Sequence, residues 1–90
     1  MSWLARVHVV LKPIVNDPQG EAILGGLKSL GFQAVSQVRA GKYLEIQLAA
    51  ADADQAQRQV DDMCRKLLAN PVIEDYRIEI AEVAALRDAV

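Results

Sequence analysis

Ala5, Val7, Val9 and Leu11 alternate with Arg6, His8 and Lys12 near the start of the chain, the two-residue period of a strand with one buried face. Val10 interrupts the polar side, so part of the second face is expected to be covered too. Pro13 ends the strand because it has no amide hydrogen for a ladder. The period then changes. Ile23, Leu27 and Leu30 fall at i, i+4 and i+7, the apolar stripe of a helix. Asn16-Asp17-Pro18 opens it: Asp17 can accept bonds from the first-turn amides, and Pro18 suits the first helical position. Gly31 stops it in the left-handed conformation. Gly25-Gly26 inside this helix costs about 1 kcal/mol each against alanine, which either close packing against another backbone or a marginal helix would explain.

Two strands are expected next, Val35 to Arg39 and Lys42 to Ala50, the second with Leu44, Ile46 and Leu48 inward and Tyr43, Glu45 and Gln47 outward. Ala40-Gly41 between them reads as a tight hairpin. The second helix runs from Asp52 or Asp54 to Ala69, with Ala56, Val60, Met63, Cys64, Leu67 and Leu68 as its apolar stripe. Asp52 and Asp54 sit at its positive end, Arg65 and Lys66 near its negative end. Asn70-Pro71 terminates it. Tyr76, Ile78 and Ile80 alternate with Asp75, Arg77 and Glu79 in a fourth strand, and Ala81–Val90 reads as a short helix or a frayed tail.

The order βαββαβ predicts an α+β, ferredoxin-like fold: a four-stranded antiparallel sheet with both helices on one face. The helix-free face would show Arg6, His8, Val10, Tyr43, Glu45, Gln47, Arg77 and Glu79. In so short a chain such a face is expected to meet a second subunit.

Composition narrows the function. Ninety residues leave room for one domain. With 52% hydrophobic and 24% charged residues the chain is not intrinsically disordered, and 4% aromatics leave no broad stacking surface for bases. Ten basic against twelve acidic residues argue against a nucleic-acid partner. The single cysteine, Cys64, supports neither an internal disulfide nor a thiolate metal site. Met1 to Arg6 lacks a basic-plus-apolar leader, and no apolar run reaches the roughly 18 residues of a membrane span, so a soluble cytoplasmic protein is expected. His8 is the only histidine, and neither Ser29 nor Ser36 has a flanking nucleophile motif. Asp61-Asp62 and Glu74-Asp75 are neighbours whose side chains diverge on a helix or a strand. No catalytic, cofactor-binding or metal-binding residue is therefore expected. The chain should bind something.

Several strings occur in order at fixed spacing: Val9-Val10-Leu11-Lys12-Pro13, Asp17-Pro18-Gln19-Gly20, Leu30-Gly31-Phe32, and Val38-Arg39-Ala40-Gly41-Lys42-Tyr43. Met63-Cys64-Arg65-Lys66-Leu67-Leu68-Ala69-Asn70-Pro71-Val72-Ile73-Glu74-Asp75-Tyr76 follows. Together they resemble the PurS family, the small subunit of phosphoribosylformylglycinamidine (FGAM) synthase, over about residues 4–80, with 81–90 as an extension. The resemblance implies a non-catalytic subunit of the complex that converts formylglycinamide ribonucleotide, glutamine and ATP to formylglycinamidine ribonucleotide, glutamate, ADP and phosphate. It implies a glutaminase partner, PurQ, and a synthetase partner, PurL, which would hold ATP and magnesium. It further implies self-association as a dimer or tetramer and help with ammonia transfer between the two partners. On that basis Gln19, Gly20, Arg39 and Lys42 are candidate partner contacts, while Asp17, Pro18, Gly41, Asn70 and Pro71 are structural. Trp3, Val83 and Leu86 would be buried together by a second subunit. The competing expectation is a regulatory module of the ACT type, which shares the element order and binds an amino acid near the turn that Asn16-Asp17-Pro18-Gln19-Gly20 would form.

Overall fold

The alternating segments pair around the first of them in a computed structural model that describes residues 1–83. Strand β1 (Ser2–Leu11) lies at the centre, antiparallel to β2 (Gly41–Ala49) on one side and β3 (Glu74–Glu82) on the other. Ala5 faces Ile46 and Ile80, Val7 faces Leu44 and Ile78, and Val9 faces Tyr76. This register collects the apolar residues of all three strands on one face. The alternate positions place Arg6 between Glu45 and Glu79, and His8 between Tyr43 and Arg77, on the other.

Helix α2 (Ala53–Met63) covers the apolar face over β1 and β3. Asp52 caps it by accepting from the Gln55 amide at 2.8 Å. Val60 and Cys64 pack with Ala5, Val7, Val9 and Ala69 in the main core. Trp3, Ala50 and Ala56 form a second cluster, where the Trp3 indole donates to the Ala50 carbonyl at 3.1 Å. Trp3 is thus buried within its own chain, without a second subunit. On the solvent side, Asp54–Arg58, Asp61–Arg65 and Asp62–Lys66 pair at i, i+4 with the acid N-terminal, the favourable orientation.

The last turn, Cys64–Leu68, is π-helical. A π turn needs more residues per revolution than an α turn. The third residue after Cys64 therefore falls short of the buried face and the fourth lands on it. Leu68 packs against the core, whereas Leu67, expected in the same stripe, is 83% exposed.

Further features depart from the sequence-based expectation. The α+β, ferredoxin-like class holds, but among the described residues the sheet has three strands, because Val35–Arg39 forms none. Ala40-Gly41 is no hairpin: among the described residues Gly31 is the one with positive φ, at 100°, and Gly41 already pairs with Val10 as the first residue of β2. Helix α1 (Pro18–Ser29) has the expected Asp17 cap and ends before Gly31, yet it is not laid on the sheet. Its one buried residue is Gly20, and its stripe stands in solvent, with Ile23 43% and Leu30 75% exposed. Beyond Gly25 and Gly26 there is open space rather than the backbone that close packing would supply. β3 also runs on to Glu82, past the expected end of the fourth strand; Leu86 and the rest of 84–90 lie outside the described residues.

Candidate functional site

The β1–α1 turn and the segment leading into β2 are joined by one polar latch. Asp17 is buried, and its two carboxylate oxygens are divided between two amides: Oδ1 accepts from Gly20 at 3.0 Å and Oδ2 from Ala40 at 2.7 Å. Those bonds, with the Arg39 guanidinium nearby, hold its carboxyl below the usual carboxylate range against the opposing effect of burial. Arg39 turns inward, its Nη2 donating to the carbonyls of Lys12 at 2.9 Å, Val15 at 3.2 Å and Leu11 at 3.3 Å. This explains the missing strand. The segment through Arg39 and Ala40 is committed to side-chain bonds with the first turn rather than to a ladder beside β2.

The four candidate partner residues separate accordingly. Gly20 is buried, and a Cβ there would run into the Val38 carbonyl oxygen. Arg39 is occupied by the three carbonyls, so it shapes the turn instead of reaching out from a hairpin tip. Gln19 and Lys42 are exposed. They flank an open cleft of about 260 Å³ that Val9, Leu11, Asp17, Ala40, Gly41 and Glu74 complete. The Asp17 carboxylate at this turn already accepts one backbone amide on each oxygen.

The structural residues have visible roles. Pro18 opens α1, and a Cβ at Gly41 would run into the Val9 carbonyl oxygen, so close strand pairing rather than a turn demands the glycine. Asn70 closes an Asx turn by accepting from the Val72 amide at 3.1 Å, while its own amide donates to Glu74 at 2.6 Å. Pro71 follows within that turn.

The helix-free sheet face carries the residues expected on it. His8 Nε2 lies 2.8 Å from Glu79 Oε1, which also accepts from Arg77 at 3.3 Å. The His8 ring meets Tyr43 at 5.0 Å between centroids, and the Tyr43 hydroxyl donates to Glu45 at 2.9 Å. Partial desolvation and that carboxylate push the Tyr43 phenol up. Val10 stands 43% exposed among these pairs. Ile14 and Val72, 95% and 80% exposed, are apolar loop residues outside any periodic segment, so no alternation marks their exposure. Cys64 is fully buried, and burial with nearby Asp61 pushes its thiol up, away from the reactive thiolate. Among the described residues no three His, Cys, Asp or Glu side chains converge as metal ligands, and no helix is long and apolar enough to cross a membrane.

A half-covered sheet, a strand edge without a neighbour among the described residues, a charge-paired open face and a helix held off the body define an α+β contact module. The family model of PurS, phosphoribosylformylglycinamidine (FGAM) synthase, matches residues 4–82. The chain belongs to the PurS family, subunits of FGAM synthase in purine biosynthesis. It is 51% identical over 89 residues to the PurS subunit of Synechocystis, covering 99% of this chain and 86% of that one. To the PurS subunit of Bacillus subtilis it is 49% identical over 83 residues, covering 92% and 98%. Among solved structures, B. subtilis PurS matches with TM-score 0.80 at 46% identity, covering 89% of this chain and 99% of that one. A chain in the structure of PurLQS from Thermotoga maritima matches with TM-score 0.83 at 28% identity, covering 90% and 99%.

Proposed function

We propose that this chain assembles the synthetase PurL with the glutaminase PurQ in the cytoplasm, as a dimer or tetramer, and helps ammonia pass between them. The observation that carries this reading is the likeness, over 90% of this chain, to a chain of PurLQS. The surface supports it, because what the fold leaves open is contact area: the charge-paired face, the β2 edge and the α1 stripe. Hydrolysis of glutamine releases ammonia, which water would protonate and so deprive of its nucleophilic lone pair. A junction that excludes water keeps it reactive, and building one requires surfaces rather than nucleophiles. In this reading ATP and magnesium act on PurL, and Gln19 and Lys42 touch a partner while Gly20 and Arg39 hold the turn that presents them.

Reconstitution tests this. Matching PurL and PurQ are assayed with and without this chain, with glutamine or ammonium chloride as nitrogen source. Glutamine-dependent turnover should require the chain, and ammonia-dependent turnover by PurL should require it much less. Unchanged turnover from both sources, with no complex on a sizing column, would overturn the reading.

A further inference from the structure

The end of the sheet where β1 stops and β3 starts displays two apolar side chains on backbone that is locked in place. Ile14 and Val72 stand almost wholly in solvent. Ile14 follows Pro13, whose ring fixes φ, and the Arg39 fork grips the Leu11, Lys12 and Val15 carbonyls on either side of it. The Val15 amide closes that turn on the Lys12 carbonyl at 2.9 Å. Val72 sits in the Asn70 turn, where the Ile73 and Glu74 amides both donate to the Asn70 carbonyl, at 3.1 and 2.7 Å. A bond of 2.8 Å from the Lys12 amide to the Ile73 carbonyl ties the two turns together. A partner that buries these side chains has no loop to order, so the gain from covering them goes into affinity. We infer that this end of the sheet anchors a different subunit of the synthase, one that presents an apolar socket with a carboxylate at its rim for Lys42. The inference rests on the assembly role proposed above and names the part of the chain that performs it.

Three observations point to that occupant rather than to a second copy. Projecting side chains need a concave apolar receptor, and the clefts on this chain's described surface are not one. Each carries at least two charged side chains: Asp17, Lys42 and Glu74 in the first, Asp75 and Arg77 in the second, Arg39 and Asp75 in the third. Two such ends packed on each other would bury only a few hundred Å², against the roughly 800 Å² per partner of a stable interface. Lys42, exposed at the cleft beside this end, has no ion pair among the described residues, whereas Lys12 is already held by Asp75. A free cation next to an apolar projection matches an acidic rim around an apolar socket.

The test titrates wild type and the double variant Ile14→Asp, Val72→Asp into a mixture of PurL and PurQ and follows assembly on a sizing column. The double variant should need roughly thirtyfold more chain for half-assembly, with its urea midpoint and its self-association in sedimentation unchanged, because neither residue is in a core cluster. Lys42→Glu should weaken assembly in the same direction, and Ile14→Leu should assemble as wild type. In parallel, Ile14→Cys is labelled with a photoreactive benzophenone maleimide, wild type with its buried Cys64 serving as control. Illumination should join the label to PurL or PurQ. Unchanged assembly of the double variant would overturn the anchor and leave the assembly reading standing. So would a label that attaches to a second copy of this chain, or to nothing, in a mixture that does assemble. A wild-type chain that fails to assemble with PurL and PurQ would overturn the assembly reading, and the anchor with it.

Discussion

Asp17 and Arg39 decide more of this structure than any other pair. Asp17 looks like an ordinary helix cap in the sequence, and it is one; its second oxygen, however, holds the Ala40 amide 23 positions away. Its carboxyl titrates below the usual range, so the stability it contributes is complete above the unfolded-state pKa of about 4 and is lost as pH falls through the lower folded value. Urea midpoints from pH 7 to 2.5 should therefore show Asp17→Asn well below wild type at neutral pH, with the gap closing below about pH 4. A constant gap would mean that the charge is irrelevant. For Arg39, the planar fork reaching three carbonyls has no lysine equivalent. Arg39→Lys should lose about 2 kcal/mol in urea unfolding; a loss within measurement error would show that the guanidinium merely rests there.

The two helices were equally legible as helices, and the structure treats them oppositely. α2 has a wide apolar stripe, an acidic start and paired i, i+4 charges, and it lies on the sheet. Val60, fully buried in one cluster with Val7, Val9 and Cys64, should lose about 2 kcal/mol as Val60→Ala. α1 has a thinner stripe and two internal glycines. Ile23→Ala should cost under about 0.5 kcal/mol at concentrations where the chain is monomeric. Equal costs for the two substitutions would place α1 on its own sheet. The segment Val35–Arg39 shows the limit of reading elements one at a time. Its residues suit a strand, but the bonds offered by Asp17 and by the carbonyls of the first turn outcompete an edge position in the ladder.

For the whole molecule, the radius of gyration is 16.7 Å, against about 12 Å for a compact domain of 90 residues. Its extents, 49 × 33 × 15 Å, describe a thin plate longer than the roughly 34 Å of a ten-residue strand. So open a shape leaves apolar area that association can bury. Stability should then rise with concentration by up to about 1.4 kcal/mol per tenfold. That should appear as several degrees in Tm across micromolar to hundred-micromolar protein in scanning calorimetry. A Tm independent of concentration would mean that the plate stands alone.

The local chemistry was readable from the chain alone. Alternation of β1, β2 and β3, the Asp17-Pro18 start of α1, its stop at Gly31, the inner and outer faces of the sheet and the Asn70-Pro71 turn all depend on neighbours a few residues away. The strings that mark the PurS family were legible for the same reason, being short and in order. Tertiary structure alone decided that Arg39 turns inward, that Gly41 serves strand pairing instead of a hairpin, that the sheet stops at three strands and that α1 leaves it. Each of these is a competition between partners distant in sequence: an amide can bond a ladder or a carboxylate, and a stripe can cover its own sheet or another's. Periodicity records which face of an element is apolar, but not what will cover it.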